Sequence, residues 1–235
     1  MNREEKIEIN NKKIWIDNND WRGRRIKELK GTQSDKIQCL KKVVENEDID
    51  LFLDIGANYG EFSLQLCDLG IDIICFEPNP ICDNLLNKTF KDYDNVKIIK
   101  AGVGKTTSIS NFFYSENYSG GGSLSENVIK KCPDALNEVK SIQTQIYSLD
   151  DYLINNNISK KQYKNILMKI DVEGFEDEVI KGSKHLLSKC ENWKALIEIN
   201  KVAVTNAGKN WDEWINIFNN FKKYEDFKSD ILIGK

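Results

Sequence analysis

Short apolar segments recur along the chain, and each is followed by a segment with helical periodicity. The clearest pairs are LFLDIG with EFSLQLCDLG, IDIICFEP with PICDNLLNKTF, and NILMKIDVEG with FEDEVIKGSKHLL. The apolar segments are hydrophobic throughout rather than alternating, which is typical of strands buried on both faces. Strand-helix alternation of this kind predicts parallel strands joined by right-handed crossovers. We therefore expect an α/β fold with a doubly wound, mostly parallel sheet.

The first fifty residues have a different pattern. The segment IEINNKKIWI alternates as a hairpin does, with Asn10 and Asn11 at the predicted turn, and a helix capped by Ser34 follows. We interpret residues 1–50 as a small N-terminal extension or cap, and residues 51–235 as the main domain.

The alternation of strands and helices is interrupted a second time between residues 104 and 150. Two segments there, ISNFFYS and IQTQIYSL, predict additional strands. Three consecutive glycines, Gly120, Gly121 and Gly122, lie between them and predict a flexible turn. We interpret this segment as an insertion that forms a lid.

Composition excludes some classes of protein and leaves the chemistry open. The chain has 235 residues, 40% of them hydrophobic, with three prolines and a net charge of −3. A single folded domain is expected, without a membrane span and without a nucleic-acid partner. The one basic run, Arg22–Lys27, is interpreted as a solvated surface. Six cysteines without CxxC spacing and the polar start MNREEKIEIN indicate a cytoplasmic protein with reduced thiols.

The segment DIGANYG, residues 54–60, marks the first loop that could bind a ligand. Dinucleotide sites use G-x-G-x-x-G, whereas here Gly56 and Gly60 are spaced G-x-x-x-G and Asp54 precedes them. A carboxylate would repel a pyrophosphate but attract a ligand that carries a positive charge. S-adenosylmethionine (SAM) has an ammonium and a sulfonium group, so the loop favours SAM, with Asn58 as an additional hydrogen-bonding group. The alternative is a tight strand-to-helix turn without a ligand.

The next two predicted strands end in residues that suit the remainder of such a nucleoside. Glu77 ends the second strand, where an acid can accept hydrogen bonds from both ribose hydroxyls. The third strand ends in Ala101, Gly102 and Val103, which offer small side chains and backbone groups to an adenine ring.

Five motifs in this order resemble the FkbM-type SAM-dependent methyltransferases. They are DIGANYG at 54–60, FEPNP at 76–80, GGSL at 121–124, SLDDYL at 148–153 and KIDVEGFEDEVIKG at 169–182. The resemblance implies a Rossmann-like sheet of class I methyltransferases and SAM as the methyl donor. It also implies a hydroxyl acceptor on a sugar, a polysaccharide or a polyketide-type natural product, and among these we expect a sugar, a glycan or a glycosylated small molecule.

Methyl transfer to a hydroxyl group requires a group that removes its proton or a metal that assists. The sole histidine, His185, lies within a helix, so carboxylates are the candidates. Asp171 is the candidate base, with Lys169, Glu173 and Glu198 as further catalytic candidates. Asp171 and Glu198 could also bind Mg²⁺ or Mn²⁺, although no spacing here is diagnostic of a metal site.

The sequence leaves three alternatives open. The acceptor could be nucleic acid or protein, for which the basic run is the supporting feature. The chain could bind SAM without catalysis. A nicotinamide oxidoreductase is disfavoured by Asp54 and by the missing third glycine. The oligomeric state and the identity of the acceptor leave no signal in the sequence.

Overall fold

A computed structural model describes residues 3–132, 138–156 and 163–235. Five residues of the insertion at 104–150 and the first two residues of the extension therefore lie outside the described part. The strands are β1 Glu4–Ile9, β2 Lys12–Asp17, β3 Leu51–Ile55, β4 Asp72–Phe76, β5 Val96–Ile99, β6 Gly102–Val103, β7 Ser108–Ser115, β8 Tyr118–Ser123, β9 Val139–Tyr147, β10 Asn165–Ile170, β11 Asn192–Glu198, β12 Lys222–Asp226 and β13 Asp230–Gly234. The helices are α1 Trp21–Leu29, α2 Ser34–Asn46, α3 Glu61–Leu66, α4 Pro80–Phe90, α5 Glu126–Lys130, α6 Leu149–Asn155, α7 Glu176–Lys181, α8 Lys184–Lys189, α9 Lys201–Asn206 and α10 Trp211–Phe218.

The main sheet has the doubly wound topology that the sequence predicts. Within the described residues its strand order is β12-β13-β11-β10-β3-β4-β5. The five strands from β11 to β5 are parallel, and β13 and β12 extend one edge in antiparallel fashion. The strand order changes direction between β3 and β10, which places the topological switch point between these two strands. Ligands of such sheets bind at the carboxyl ends of the strands near this point.

Both faces of the sheet are buried, which explains why its strands lack alternation. On β3, Phe52 belongs to one hydrophobic cluster, whereas Leu51 and Leu53 belong to the cluster on the opposite face. On β10, Leu167 and Met168 divide in the same way. A strand covered by helices on both faces needs apolar side chains at every position, so the period-two pattern disappears.

The N-terminal extension packs against the first face of the sheet. The hairpin β1–β2 turns at Asn10 and Asn11, as predicted, and both residues have positive φ, as a two-residue hairpin turn requires. Its buried side chains share one hydrophobic cluster with Phe52 of the sheet. Ser34 is the first residue of α2 rather than its cap, and the capping position, Gln33, makes no side-chain hydrogen bond. The domain boundary near residue 50 stays an interpretation.

The insertion forms a second sheet together with β6, with strand order β6-β9-β7-β8. Gly102 and Val103 therefore belong to this sheet and do not end the third strand of the main sheet, because β5 ends at Ile99. The two predicted strands correspond to β7 and β9, which pair with each other in antiparallel fashion. The prediction of a flexible glycine turn was wrong, because Gly120, Gly121 and Gly122 lie inside β8 and the turn falls at residues 116–117. A Cβ atom at Gly122 would lie 2.5 Å from the ring of Phe112, so the glycine makes room for an aromatic side chain.

The remaining compositional expectations concern cysteines and membrane spans. All six cysteines are unbridged, as expected. None of the helices in the described ranges has the length and apolar character needed to cross a bilayer.

The switch point brings the loops after β3 and β10 into direct contact. Gly56 has φ +76°, and a Cβ atom there would lie 1.9 Å from the carbonyl oxygen of Asp171. Gly70 has a similar φ, +77°, but open space around it. A comparison of alanine variants at the two glycines therefore distinguishes the cost of backbone strain, which both positions share, from the cost of the steric clash, which only Gly56 has.

We expect Gly56→Ala to lower the free energy of unfolding by more than about 3 kcal/mol, because the loop after β10 must move. The control Gly70→Ala should cost only about 1 kcal/mol, the strain of placing alanine at positive φ. Urea unfolding of both variants measures the difference. Equal losses would contradict the close approach of the two loops.

Candidate active site

A cavity of about 190 Å³ opens at the carboxyl ends of β3, β4, β10 and β11. It collects side chains from elements that are distant in sequence. Its wall includes five predicted nucleoside-binding residues and all four predicted catalytic residues, namely Gly56, Asn58, Glu77, Gly102, Val103, Lys169, Asp171, Glu173 and Glu198. The remaining three predicted nucleoside-binding residues, Asp54, Gly60 and Ala101, do not line it.

The loop after β3 is fixed by backbone hydrogen bonds to the neighbouring strand. The amides of Gly56 and Ala57 both donate to the carbonyl of Phe76, at 2.9 and 3.1 Å. Gly60 has φ +81° and precedes α3, and a Cβ atom there would lie 2.7 Å from the ring of Phe90. The two glycines thus shape the loop, and Gly56 alone reaches the cavity.

Asp54 lies beneath this loop and is completely buried. Its Oδ2 atom accepts a 2.6 Å hydrogen bond from Ser63, while its Oδ1 atom has no hydrogen-bond donor. Burial raises the pKa of Asp54, and the ammonium of Lys169 opposes that increase. The ammonium of Lys169 lies 3.8 Å from the Oδ1 atom of Asp54. The predicted contact between Asp54 and a cationic ligand stays a prediction.

Lys169 is the buried cation at the centre of the site. It is the cross-strand neighbour of Asp54, because residue 169 of β10 pairs with residue 54 of β3. Its Nζ atom donates to the carbonyl of Gly56 at 2.5 Å and lies 3.3 Å from Oδ2 of Asp171. Burial lowers the pKa of Lys169, but the carboxylates of Asp171 and Asp54 raise it more, so the side chain stays protonated.

The carboxylate of Glu77 lines the cavity and is held in place by two backbone amides. Its two oxygens accept hydrogen bonds from the amides of Asn58, at 2.7 Å, and Asn79, at 2.8 Å. Burial raises the pKa of Glu77 to about 7, and these two amides limit the increase. Each carboxylate oxygen can accept more than one hydrogen bond, so acceptor capacity remains for a ligand. The buried Oδ1 atom of Asn58 also lacks a donor.

Three carboxylates converge at the far end of the cavity. Oxygen atoms of Asp171, Glu173 and Glu198 lie within 4.8 Å of one another. Burial, followed by the charge of Asp171, raises the pKa of both Glu173 and Glu198 well above the ordinary value. The Oε2 atom of Glu198 is buried without a hydrogen-bond partner. The side chain of Asp171 is 37% exposed.

Glu176 holds the loop that carries two of these acids. Its Oε1 atom accepts hydrogen bonds from the amides of Val172 and Gly174, each at 3.1 Å. Glu173, between them, has φ +53°, a conformation that this loop must maintain. Glu176 is buried and does not line the cavity, which fits a structural role.

Part of the cavity wall comes from segments that the sequence did not assign to the site. The extension contributes Trp21, Arg22 and Gln33, and the second sheet with the residue that follows β8 contributes Phe112, Tyr118, Ser119, Gly120, Gly122, Ser123 and Leu124. The basic run is exposed at Arg24 and Lys27, as expected. The interpretation fails for Arg22, whose side chain is 21% exposed and pairs with buried Glu61 at 2.7 Å. The three glycines were the available signal for β8, since glycine within a strand often marks close approach.

Comparisons with known proteins agree with the family that the motifs suggested. The family model described as "Methyltransferase FkbM domain" matches residues 54–226. The methyltransferase sdnD of Sordaria araneosa is 28% identical over 152 residues, which cover 55% of this chain and 59% of that protein. The hexuronic acid methyltransferase AglP of Haloferax volcanii is 27% identical over 164 residues, which cover 69% of this chain and 61% of that protein. The chain thus spans about three fifths of the length of these relatives.

Among solved structures, a SAM-dependent methyltransferase from Aquifex aeolicus superposes with a TM-score of 0.46. Its sequence identity is 10%, and the superposition covers 90% of this chain and 97% of that one.

The buried carboxyl of Glu176 generates a prediction for stability as a function of pH. Burial raises its pKa from 4.5 to about 7, and three backbone hydrogen bonds oppose the increase. The folded protein therefore binds the proton more tightly than the unfolded chain. The stability that this group contributes is present below pH 4.5 and is lost as the pH rises through 7, by at most about 3 kcal/mol.

Glu176→Gln keeps an acceptor oxygen and removes the titrating group. We expect it to match the wild type near pH 4.5 and to exceed it by about 1–3 kcal/mol in free energy of unfolding at pH 8. Glu45→Gln, on the exposed part of α2, is the control and should change stability by less than about 0.5 kcal/mol at either pH. Urea unfolding at both pH values provides the measurement, and a variant that is less stable at pH 8 would contradict the assignment.

Proposed function

The chain belongs to the methyltransferase FkbM domain family, and on that premise we propose that it transfers a methyl group from SAM to a hydroxyl group of a sugar-containing acceptor. The observation that carries the proposal is the cavity at the switch point. Its wall contains the glycine loop after β3, which a ligand can approach closely, and Glu77, an acid that accepts hydrogen bonds from two backbone amides and could bind ribose hydroxyls. It also contains a group of carboxylates next to the buried ammonium of Lys169.

The nucleoside half of SAM would lie against the loop and the ends of β4 and β6. We assign Glu77 to the ribose hydroxyls, and Gly102 and Val103 to the adenine ring. We assign the Oδ1 atom of Asn58, which accepts no hydrogen bond within the described part of the protein, to a hydrogen-bond donor of the ligand. SAM supplies a methyl group that is already bound to a good leaving group, so the protein must align the acceptor and remove a proton.

We assign removal of that proton to Asp171, whose carboxylate lines the cavity and is 37% exposed. Lys169 lies 3.3 Å from Asp171 and orients it, and the same ammonium holds the loop through the carbonyl of Gly56. Asp54 lies 3.8 Å from the ammonium of Lys169, and we assign it the role of stabilising that ammonium rather than a direct contact with the ligand. Burial raises the pKa of Glu173 and Glu198, which favours their protonated form, and a protonated carboxyl can donate a hydrogen bond to an oxygen of the methyl acceptor.

Two observations support a sugar as the acceptor. The relative AglP is named a hexuronic acid methyltransferase. In addition, the cavity wall contains the aromatic residues Trp21, Tyr118 and Phe112, together with Gly120 and Gly122. Aromatic rings in a binding site can pack against the apolar face of a sugar ring.

The side chains of the basic run bind other groups of the protein, which weakens the case for a nucleic-acid acceptor. Arg22 pairs with Glu61, Arg25 with Glu28 and Lys27 with Glu5. Arg24 donates to the backbone carbonyls at 18 and 19. These charges are used within the protein, so we favour the sugar hydroxyl.

A divalent cation is a second candidate occupant of the carboxylate end of the cavity. Asp171, Glu173 and Glu198 offer hard oxygen ligands within 4.8 Å of one another, a set that suits Mg²⁺ or Mn²⁺. The ammonium of Lys169 next to Asp171 opposes a cation there. The Lys169–Asp171 ion pair balances the charge of Asp171 without a metal.

Two variants should separate binding of the donor from turnover. We expect Glu77→Ala to weaken binding of S-adenosylhomocysteine (SAH) about tenfold or more, the worth of a hydrogen bond to a charged group. Asp171→Asn should bind SAH as the wild type does and lose about 10²–10⁴-fold in turnover. Calorimetry measures the first effect. Methyl transfer to a panel of free and glycosidic uronic acids and neutral sugars measures the second.

A wild type that binds no SAH would refute the proposed function. An Asp171→Asn variant with unchanged turnover would remove Asp171 from the role of base.

Metal binding has its own test, which requires no acceptor. If the carboxylates hold a cation, Mn²⁺ should bind the wild type in an electron paramagnetic resonance titration, and Glu198→Gln should weaken that binding at least about tenfold. The exposed Glu45→Gln variant is the control. Mn²⁺ that remains entirely free in the presence of the wild type would contradict a metal site.

A further inference from the structure

Asp20 is a completely buried carboxylate that lies outside the cavity. It follows β2 and caps α1, where its Oδ2 atom accepts a 3.0 Å hydrogen bond from the amide of Gly23. A capping residue needs only this contact. Asp20 makes three more, and all of them go to other parts of the chain.

These three hydrogen bonds join the extension to the glycine loop and to the second sheet. The hydroxyl of Tyr59, in the loop after β3, donates to Oδ2 at 2.8 Å. Ser119, in β8, donates from its amide to Oδ1 at 2.7 Å and from its hydroxyl to Oδ2 at 2.8 Å. The side chain of Asn58 donates to the same Ser119 hydroxyl at 3.1 Å. Asp20 is therefore the point at which three segments meet.

Every partner of Asp20 is next to a residue of the cavity wall or belongs to it. Trp21 and Arg22 follow Asp20 directly, Asn58 precedes Tyr59, and Gly120 follows Ser119. The amide of Trp21 also donates to the carbonyl of residue 117, at the turn before β8, at 2.8 Å. A change in these contacts would change the separation of the two sides of the cavity.

The strength of these contacts follows from burial. Hydrogen bonds to a carboxylate are roughly twice as strong as those between neutral groups, and they gain further strength in a medium of low dielectric constant. Burial raises the pKa of Tyr59 far above its ordinary value, so the phenol remains a donor to Asp20. In Asp20→Asn, the side-chain NH₂ group would replace one carboxylate oxygen and would face one of the groups that now donate a hydrogen bond to that oxygen.

We propose that Asp20 is a positioning residue that fixes the acceptor wall, formed by α1 and β8, relative to the loop that binds the donor. This inference rests on the proposed function, because it assigns the donor to the loop and the acceptor to the wall. Binding of the donor to the loop orders Asn58 and Tyr59, and Asp20 transmits that order to α1 and β8.

Hydrogen exchange measured by mass spectrometry, with SAH as the probe, tests the proposal on the full chain. In the wild type, SAH should slow exchange at least about threefold in three segments, the loop 54–62, α1 and β8. In Asp20→Asn, the protection by SAH should persist in the loop and disappear from α1 and β8. A residue that merely caps α1 would change exchange in α1 without affecting how SAH acts on β8.

Asp17→Asn is the matched control. Asp17 is a buried carboxylate of the same segment, but it binds Arg3 and the amide of Asn19 rather than the loop or β8. This variant should keep the protection by SAH in all three segments. Tyr59→Phe removes one link and leaves the carboxylate in place, so it gives the same test if Asp20→Asn does not fold. It should reduce the protection of α1 and β8 by SAH while the loop remains protected.

The results in the wild type and in the variants distinguish failure of the inference from failure of the proposed function. Protection by SAH in the loop alone in the wild type would overturn the inference and leave the proposed function intact. Protection of α1 and β8 that survives in both Asp20→Asn and Tyr59→Phe would overturn it as well. If SAH protects no segment of the wild type, the proposed function fails and the inference fails with it.

Discussion

The site depends on one buried ammonium group between two strands. Lys169 of β10 and Asp54 of β3 are cross-strand neighbours at the switch point, and the same ammonium contacts Asp171 and the carbonyl of Gly56. Removing a cation from water is costly unless charges and hydrogen bonds replace the water. Here two carboxylates and a carbonyl do so, and as a result the loops after β3 and β10 keep a fixed separation.

The charges around this ammonium explain why so many acids can share one cavity. Glu77 rests on two backbone amides, whereas Glu173 and Glu198 have raised pKa values because they are buried near Asp171. A raised pKa favours proton uptake, which lowers the repulsion within the group. A cationic ligand would lower it further, so the electrostatic argument for a positively charged cofactor applies to the whole cavity rather than to Asp54 alone.

The cavity is completed by segments outside the βα core. Helix α1 and strand β8 add aromatic and glycine residues to its wall, and they meet the core loop through buried Asp20. Arg22 belongs to this wall and pairs with Glu61 at the start of α3. The N-terminal segment is therefore part of the candidate site, in addition to covering one face of the sheet.

The sequence by itself determined the doubly wound sheet, because uniform apolar runs followed by amphipathic segments require strands that are buried on both faces. It also determined that Glu77, Lys169 and Asp171 lie at or near strand ends, since each of these residues falls at the end of such a run.

Only the tertiary structure decided what these side chains contact. The pairing of Asp54 with Lys169 depends on the register between strands more than one hundred residues apart in sequence. The role of Gly120–Gly122 depends on strand pairing and on the aromatic rings packed against β8, and the contacts of Asp20 depend on packing between distant segments. Local sequence encodes neither register nor packing.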